Sequence, residues 1–434
     1  MYNKHSMGEK LVKPLLALSL LFTALLFSRC ESLSKGLDST FGSGGIVTTA
    51  IGTSDDRIYA VAVLSDGRIL AAGTSYDTKL NFAVARYLSN GSLDTSFASG
   101  NGKMTQSVGS GDDSIFAIVA LNDGSFFVAG STTVSTGNTD FVLARFFSDG
   151  TLDTNFGSSG FATRDFGLAS AADVARALLT DGNGRLVVVG QSDDGTQKDF
   201  AVARYETTGT PDTTFDSDGF ATYAISTGDD TARGIVVDEV GRLIVVGQTP
   251  ADLALLRLKT SGALDTGFDT DGIRVVSITS GADVATSVQI RSGGEILVGG
   301  VAREGSSSDA LLSQFHTDGS TDLDFGTNGT AVFSLTTAAS RSDAANAMVL
   351  AVGDKPVFVG KTNNGSNFDW LLSRVRFSGS QDFTFDTDGF FSLDFSGGLD
   401  EAHAVALQND GKILVAGEAH NGSNADFALI RYEP

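Results

Sequence analysis

One element recurs along almost the whole sequence and constrains the fold more than any other feature. Its clearest copy is the segment 140–157, DFVLARFFSDGTLDTNFG, in which a short apolar run ends on Arg, a tight turn follows, and Leu-Asp-x-x-Phe-Gly completes the element. The Phe of this motif recurs at intervals of 53 to 60 residues, at Phe41, Phe97, Phe156, Phe215, Phe268, Phe325 and Phe385. Seven copies predict a repeat fold, and the interval is too long for most helical solenoids.

Each copy contains four candidate strands joined by short polar turns. In the copy that starts at Phe156 they are the segments 161–166, 174–180, 185–190 and 199–205, and turns of the Asp-Gly and Asn-Gly type separate several of them. Runs such as LVVVG are apolar at consecutive positions, which indicates strands covered on both faces. Stacked four-stranded antiparallel sheets of this kind are the blades of a propeller. The sequence therefore predicts an all-β fold, a seven-bladed β-propeller with four-stranded antiparallel blades.

The two ends of the chain each hold part of one copy. The chain stops at residues 431–434, before an eighth Leu-Asp-x-x-Phe-Gly, and the missing motif stands at 37–42, followed by an apolar segment. We expect this N-terminal segment to complete the last blade and close the ring without a covalent link, because unpaired sheet edges are a liability. In the alternative register it is the innermost strand of the first blade. The propeller domain is predicted over residues 37–434.

A basic and then apolar N-terminus precedes the repeats. Lys4, Lys10 and Lys13 are followed by an apolar run at 15–27. This run is short for a membrane span and suits the core of a signal peptide. We predict a signal peptide at 1–29 and therefore export.

Cys30, the only cysteine, directly follows this segment. Its placement resembles a bacterial lipoprotein signal, in which the cysteine is acylated, although Phe27 and Arg29 depart from that pattern. The resemblance implies a lipidated Cys30, a short linker at 30–36 and a location at the outer membrane or cell surface. The alternatives are an uncleaved anchor and an ordinary signal peptide with an incidental cysteine, which would make the protein periplasmic or secreted.

The combined motifs D-G-x-I-L-V-x-G, D-F-A-L-A-R-Y and L-D-x-x-F-G resemble the bacterial delta-60 repeat, a domain of unknown function in the β-propeller class. The resemblance covers about residues 37–434. Three copies depart from the pattern: Pro211 stands at a Leu position, Gln314 at an Arg position and Trp370 at a Phe position. The resemblance implies a propeller in a surface or secreted protein, and it implies no activity.

The charge of the chain restricts its partners. Its 52 acidic and 30 basic residues give a formal net charge of −22, which repels nucleic acid and anionic lipid. We therefore predict no nucleic-acid partner, membrane contact only through a lipid anchor, and a monomer. A single cysteine excludes an intrachain disulfide, so stability must come from packing.

An aspartate stands 15 to 18 residues after each repeated Phe, just before an apolar strand. The seven are Asp56, Asp113, Asp173, Asp230, Asp283, Asp343 and Asp400. If that strand lines the centre of the ring, the carboxylates circle one mouth of the channel and would bind a cation such as Ca²⁺. The alternative, which the regular recurrence favours, is that each carboxylate accepts backbone N–H groups in the turn entering the strand. No other cofactor is predicted.

The position three residues after each of these aspartates differs from copy to copy. It holds Tyr59, Phe116, Arg176, Arg233, Thr286, Asn346 and His403. Specificity can reside at a position that varies beside a constant scaffold, and Tyr and Arg are common binding hot spots. We therefore interpret these seven residues as a ligand-binding rim. The alternative, favoured by the general variability of loops and rims, is drift at a tolerant position.

Another recurring residue is the Arg that ends the third strand, as at Arg86 and Arg204, with the Asp of the next Leu-Asp-x-x-Phe motif nearby. This recurrence predicts a structural Arg–Asp pair in each blade rather than a set of substrate-binding arginines.

Arrangements that indicate catalysis are missing from the sequence. The four His are scattered without metal-ligand spacing, and neither a Gly-x-Ser-x-Gly elbow nor a phosphate loop occurs. We expect an exported, surface-anchored binding or scaffolding module for a protein, a glycan or a cell-envelope component, rather than an enzyme. The alternatives are a metal-dependent hydrolase or lyase with its site at the channel mouth, and a purely structural envelope repeat.

Overall fold

Seven antiparallel sheets make up the part of the chain that the computed structural model describes, residues 36–167, 171–335 and 342–434. Two short strands come first, and the sheets, termed blades 1 to 7, follow in chain order. The predicted signal peptide at 1–29 and Cys30 lie outside the described residues.

The first strands in the chain belong to the N-terminal segment and to blades 1 to 3. The two N-terminal strands are β1 (Gly36–Leu37) and β2 (Ile46–Thr49). Blade 1 contains β3 (Asp56–Val63), β4 (Ile69–Tyr76), β5 (Leu80–Tyr87) and β6 (Lys103–Gln106), with a 3-10 turn at Ala98–Gly100 before β6. Blade 2 contains β7 (Asp113–Ala120), β8 (Phe126–Ser135), β9 (Asn138–Phe146) and β10 (Phe161–Arg164). Blade 3 contains β11 (Val174–Thr180), β12 (Leu186–Asp193), β13 (Lys198–Tyr205) and β14 (Phe220–Tyr223).

The remaining blades repeat this pattern. Blade 4 contains β15 (Thr231–Val237), β16 (Leu243–Gln248), β17 (Leu253–Leu258) and β18 (Ile273–Val276). Blade 5 contains β19 (Val284–Ile290), β20 (Ile296–Glu304), β21 (Ser307–Phe315) and β22 (Thr330–Phe333). Blade 6 contains β23 (Ala344–Ala351), β24 (Lys355–Asn363), β25 (Phe368–Arg374) and β26 (Phe390–Leu393). Blade 7 contains β27 (Glu401–Leu407), β28 (Ile413–His420) and β29 (Ala425–Glu433).

The first strand of each blade lies at the centre of the molecule. Each of these strands contacts the first strand of the next blade, and β27 contacts β3, so the seven strands surround a central channel. In blades 1 to 6 the hydrogen-bonded order runs outward from this inner strand in chain order, and in blade 7 it runs from β27 through β28 to β29. The predicted seven-bladed propeller is confirmed. None of the described residues belongs to a helix with the length and hydropathy needed to cross a membrane.

Apolar side chains on both faces of the second strands hold neighbouring blades together. In β12, Leu186 and Val188 pack toward blade 2, whereas Val187 and Val189 pack toward blade 4. A comparable cluster lies between each pair of adjacent blades. Burial of one such side chain contributes about 1.5–3 kcal/mol. These strands are apolar at consecutive positions because neither of their faces meets solvent.

The N-terminal segment closes the ring by completing blade 7. The outer strand of that blade is β2, which pairs antiparallel with β29 from Ile46 opposite Ile430 to Thr49 opposite Phe427. The side chain of Phe41 is fully buried between blades 7 and 1. The predicted closure is therefore confirmed, and the alternative register, with this segment innermost in blade 1, is wrong.

A recurring Arg–Asp pair fastens blades 1, 3, 4 and 7 internally and bonds each of them to the next blade. In blade 3, Arg204 Nε donates to Asp212 Oδ2 at 2.7 Å, and Arg204 Nη1 donates to the carbonyl O of Thr260 in blade 4 at 2.5 Å. The guanidinium carbon lies 4.9 Å from the ring centroid of Phe215, the repeated Phe. Arg86, Arg257 and Arg431 make the same three kinds of contact. The predicted structural pair is present.

Blade 5 has a glutamine at the position of this arginine, and an arginine from another part of the blade makes the remaining contacts. Gln314 stands at the Arg position and donates to Asp322 Oδ2 at 2.6 Å. Arg291, from the turn after β19, places its guanidinium carbon 5.2 Å from the centroid of Phe325, the repeated Phe of this blade. Its Nη1 donates to the carbonyl O of Phe377 in blade 6 at 2.8 Å. Arg291 therefore replaces the missing lock between blades 5 and 6.

The lock of blade 7 joins the two ends of the described chain. Asp38 Oδ2 accepts hydrogen bonds from Arg431 Nε at 2.7 Å and from Lys412 Nζ at 2.6 Å. Asp38 and Arg431 are both buried. Burial by itself would raise the pKa of Asp38, but the hydrogen bonds from Lys412 and Thr40 and the charge of Arg431 outweigh it and hold this pKa well below its ordinary value. The carboxylate is therefore ionised at neutral pH.

Asp38→Asn is expected to weaken ring closure, because it leaves Arg431 buried without an anionic partner. The free energy of unfolding in urea should fall by about 3 kcal/mol at neutral pH. A lowered folded-state pKa means that the contribution of Asp38 is fully present above its unfolded-state pKa of about 4 and is lost as the pH falls through the folded-state value. The difference between wild type and variant should therefore vanish in acid.

The matched control is Asp229→Asn, which breaks an exposed pair with Lys198. It should change the free energy of unfolding by less than about 1 kcal/mol. Equal effects of the two substitutions would contradict a special role for Asp38 in closure.

Candidate functional site

The innermost strand of every blade carries one extra residue. In β3 the pairing with β4 shifts between Ile58 and Ala60, so Tyr59 forms a β-bulge. The residues at this shift in the seven blades are Tyr59, Phe116, Arg176, Arg233, Thr286, Asn346 and His403. They are the seven residues that the sequence singled out as a rim, and each is half-buried. We call them the channel ring.

A glycine opposite each bulge makes the close backbone approach possible. A Cβ atom at Gly73 would lie 1.9 Å from the carbonyl O of Arg57, nearer than any real side chain could stand. In each of the other blades, a Cβ atom on the equivalent glycine would clash with the equivalent carbonyl oxygen of the inner strand. These glycines are Gly130, Gly190, Gly247, Gly300, Gly360 and Gly417. The backbone at the bulge is therefore constant, and the side chain that it carries is free to vary.

Three neighbouring members of the ring form an aromatic arc. The ring centroid of Tyr59 lies 5.2 Å from that of Phe116 and 5.1 Å from that of His403. Burial raises the pKa of Tyr59, so its phenol is neutral at physiological pH. Aromatic faces of this kind can pack against a planar group or an apolar face of a ligand.

Arg176 and Arg233 form a basic arc on blades 3 and 4. The guanidinium carbon of Arg176 lies 5.6 Å from the ring centroid of Phe116, and Arg233 Nε donates to Gln248 Oε1 at 3.2 Å. Burial lowers the pKa of Arg176. Burial and the charges of Arg176 and Arg303 lower the pKa of Arg233 to about 10. Both side chains remain cationic at neutral pH.

Thr286 and Asn346 complete the ring with a polar arc on blades 5 and 6. Thr286 Oγ1 lies 2.6 Å from the carbonyl O of Ala345, to which it can donate. Asn346 Nδ2 donates to the carbonyl O of Ala402 at 2.9 Å and to Glu401 Oε1 at 2.8 Å. These bonds join the inner strands of blades 5, 6 and 7. Around the channel, the ring therefore changes from aromatic to basic to polar.

A network of charges borders His403. Glu418 accepts a hydrogen bond from Arg57 Nε, and Glu401 Oε2 accepts one from Lys361 Nζ at 2.9 Å. Burial would raise the pKa of Glu401, but His403 and Lys361 outweigh it and lower that pKa. One ligand atom from each of Glu401, His403 and Glu418 lies within 4.8 Å of the other two. In the described part of the chain, no other group of three such side chains comes as close.

His403 is one of the residues predicted from the sequence, whereas its charged neighbours Glu401 and Glu418 were not predicted. Glu401 directly follows the repeated Asp, as Arg57 does in blade 1. Glu418 lies opposite Glu401 across the inner hairpin. The strand register could have identified them. Glu401 occupies the inner-strand position directly after the repeated Asp, and Glu418 is its partner on the second strand.

The seven predicted aspartates lie at the entry to the inner strands and bond to the preceding turn. In blade 4, Asp230 Oδ2 accepts the N–H groups of Ile225 at 2.8 Å and Ser226 at 2.7 Å. Each of the others likewise accepts a turn N–H, namely Asp56, Asp113, Asp173, Asp283, Asp343 and Asp400. Each is at most 2% exposed, and none belongs to the group of potential metal ligands. The structure thus accounts for their recurrence by hydrogen bonding, and the alternative role in cation binding remains untested.

A cavity of about 370 Å³ opens beside the ring at blades 4 to 7. Its lining includes Arg233, Thr286 and Asn346 of the ring, together with Arg303, Lys361 and Glu401. A larger cavity of about 940 Å³ lies against the outer strand β22, and no basic side chain lines it. The channel ring and its adjoining cavity therefore combine more recognition chemistry than the outer wall.

Comparison with known families gives one match. The family model described as "Domain of unknown function (DUF5122) beta-propeller" matches residues 64–97, 121–156, 182–215, 241–268, 293–325 and 408–434. The matched segments fall in blades 1 to 5 and in blade 7. A search of the curated proteins gives no match.

Several solved structures are similar to the chain over most of its length. Virginiamycin B lyase from Staphylococcus aureus is 10% identical, with 89% of this chain and 99% of that chain covered and a TM-score of 0.49. A periplasmic gluconolactonase from Pseudomonas aeruginosa is 14% identical, with 84% and 95% covered and a TM-score of 0.49. Drosophila Semaphorin 2a is 8% identical, with 92% and 75% covered and a TM-score of 0.49. We draw no functional conclusion from these likenesses.

Calorimetric titration of the full-length chain with Ca²⁺ and with Zn²⁺ separates the two arrangements of acidic residues. With Ca²⁺ we expect no binding at millimolar concentration, because the seven aspartates already accept turn N–H groups. With Zn²⁺ we expect none tighter than millimolar, because Arg57 and Lys361 already pair with Glu418 and Glu401 and a metal would have to displace them. Tight Ca²⁺ binding that Asp113→Asn abolishes, or tight Zn²⁺ binding that His403→Ala abolishes, would contradict this expectation.

Proposed function

The chain belongs to the DUF5122 β-propeller family, whose function is unknown, and on that premise we propose that it is a binding module whose ligand contacts the channel ring. The observation that carries the proposal is that one position per blade differs in chemistry while the backbone beneath it is the same. The ligand would be a protein, a glycan or a cell-envelope component.

The contrast between scaffold and ring supports a binding role over a purely structural one. The repeated Phe, the turn aspartate and the glycine opposite the bulge recur because packing and backbone geometry require them. Side chains of six different types occupy the ring position on the same backbone, and they include Tyr59, Arg176 and Arg233, residue types that dominate binding energy in known interfaces. All seven are half-buried, and Arg233, Thr286 and Asn346 line a cavity, where ligand contacts are most favourable.

A metal-dependent hydrolase or lyase at the channel mouth is the alternative. The group formed by Glu401, His403 and Glu418 is the observation that favours it. Two carboxylates and one imidazole could hold a divalent cation and leave coordination positions open. Against it, Arg57 and Lys361 already neutralise both carboxylates. Titration with Zn²⁺ discriminates between the two functions.

We also propose that the binding module acts outside the cytoplasm, with residues 1–29 directing export and Cys30 carrying a lipid. The tripartite N-terminal pattern supports export, and the position of Cys30 supports a lipid anchor. The net charge of −22 supports a solvent-facing propeller that does not bind nucleic acid. The same charge makes two copies repel each other, which supports a monomer.

Capture from a cell-envelope extract tests the binding role. The full-length chain is immobilised, and the captured proteins and glycans are quantified by mass spectrometry. Replacing both Tyr59 and Phe116 by Ala should reduce capture of the ligand by more than about tenfold, because buried aromatic contacts dominate binding energy. The control is Phe383→Ala, which removes an exposed aromatic side chain outside the channel. The proposal fails if no captured component depends on the ring pair.

Mass spectrometry of the mature N-terminus tests export and lipidation. After expression in a bacterium, we expect a chain that begins at Cys30 and carries acyl groups. Cys30→Ala should release the protein from the membrane fraction. A chain that retains residues 1–29, or one that begins with an unmodified Cys30, would refute the lipid anchor.

A further inference from the structure

The arginines of the described chain fall into two groups by their partners. Most of them lie within 4.0 Å of a carboxylate oxygen. Among the described residues, no such carboxylate is found for Arg176, Arg233, Arg291 and Arg303. Arg291 is explained by its role as the replacement lock of blade 5. The other three share one sector of the channel mouth, on blades 3 to 5.

This sector is an unusual place for unpaired cations. The protein has far more acidic than basic residues, yet no described carboxylate neutralises Arg176 or Arg233. Arg176 Nε is buried and has no hydrogen-bond partner among the described residues. The lowered pKa of Arg233 shows that burial and repulsion from Arg176 and Arg303 both act on it. A half-buried charge without a counter-charge is destabilising unless something outside the fold pairs with it.

The side chains around these arginines indicate which kind of ligand could pair with them. Phe116 lies between Arg176 and Tyr59, so an anionic group bound at the arginines would have an aromatic face beside it. Two guanidinium forks can each donate paired hydrogen bonds to one carboxylate. Because Arg176 is already stacked near Phe116, its orientation is partly set before a ligand arrives.

Two glutamines add donors at the same place. Gln191 and Gln248 lie at the ends of the second strands of blades 3 and 4. The side-chain oxygen of Gln248 accepts from Arg233 at 3.2 Å, and that of Gln191 accepts from Thr231 at 3.4 Å. Their amide NH₂ groups have no partner within the described part of the chain and can donate to hydroxyl groups. A ligand with an anionic group, several hydroxyls and an apolar face fits this combination.

We propose that Arg176 and Arg233 form an acid-binding subsite that holds the carboxylate of an acidic sugar, with Phe116 and Tyr59 packed against the face of its ring. The inference rests on the proposed binding role and specifies its ligand as an acidic glycan. The amide NH₂ groups of Gln191 and Gln248 would donate to the hydroxyl groups of such a sugar.

Calorimetry with a matched pair of probes tests the subsite. The full-length chain is titrated with D-glucuronate and with the methyl ester of D-glucuronate, which has the same ring without the charge. We expect glucuronate to bind at least about tenfold more tightly than the ester, because hydrogen bonds to charged groups are the stronger ones. Arg176→Gln and Arg233→Gln should each remove that preference. Arg376→Gln, which removes a charge outside the channel, should keep it.

A stability measurement guards against variants that simply unfold. Removing one of these like charges relieves repulsion, so Arg176→Gln and Arg233→Gln should unfold at a urea concentration no lower than wild type. Lower midpoints would assign the arginines a structural role and overturn the subsite. Equal affinity for acid and ester, or no binding of either at millimolar concentration, would also overturn it.

The two proposals can fail separately. If glucuronate does not bind while ring-dependent capture from the envelope extract persists, the acid subsite is wrong and the binding role stands. If the captured ligand is a protein or a neutral glycan, the same conclusion follows. If neither probe nor extract yields ring-dependent binding, both proposals fall.

Discussion

The buried ion pair between Arg431 and Asp38 joins the last blade to the N-terminal segment, and the rest of the ring depends on that junction. Without it, blade 7 would expose the edge of β29, and the interface between blades 7 and 1 would lose Phe41. A closed ring has no terminal repeat, so each sheet face is covered by a neighbour. The propeller can therefore be built of apolar second strands with no solvent-facing side.

The same lock recurs in other blades, and blade 5 shows what it must supply. Its own position holds Gln314, which keeps the hydrogen bond to the aspartate but has no cation. Arg291 restores the contact with the repeated Phe and the bond to the next blade from a different strand. The fold thus requires a guanidinium beside the repeated Phe, and this group can come from a different sequence position of the repeat.

A scaffold secured in this way leaves one position per blade free. The glycine opposite the bulge keeps the backbone constant, so replacing one ring residue by another does not disturb the pairing of the strands. The ring residues are aromatic on blades 7, 1 and 2, basic on blades 3 and 4, and polar on blades 5 and 6. Arg176 and Arg233, for which the described residues supply no carboxylate partner, lie on blades 3 and 4, whereas the neutralised carboxylates Glu401 and Glu418 lie on blade 7. The two sides of the channel therefore differ in charge, which sevenfold repetition alone would not produce.

Sequence alone determined the number of blades, their four strands and the closing role of the N-terminal segment, because hairpins and repeats are local and leave local signals. It also located the variable position of the ring. It could not reveal that Tyr59 is a bulge, since a bulge exists only in the pairing of two strands. Nor could it show that Arg57 pairs with Glu418, 361 residues away, while Arg176 has no carboxylate partner among the described residues. The contacts between blades 7 and 1 were decided only by the tertiary structure, because ring closure brings the two ends of the chain side by side.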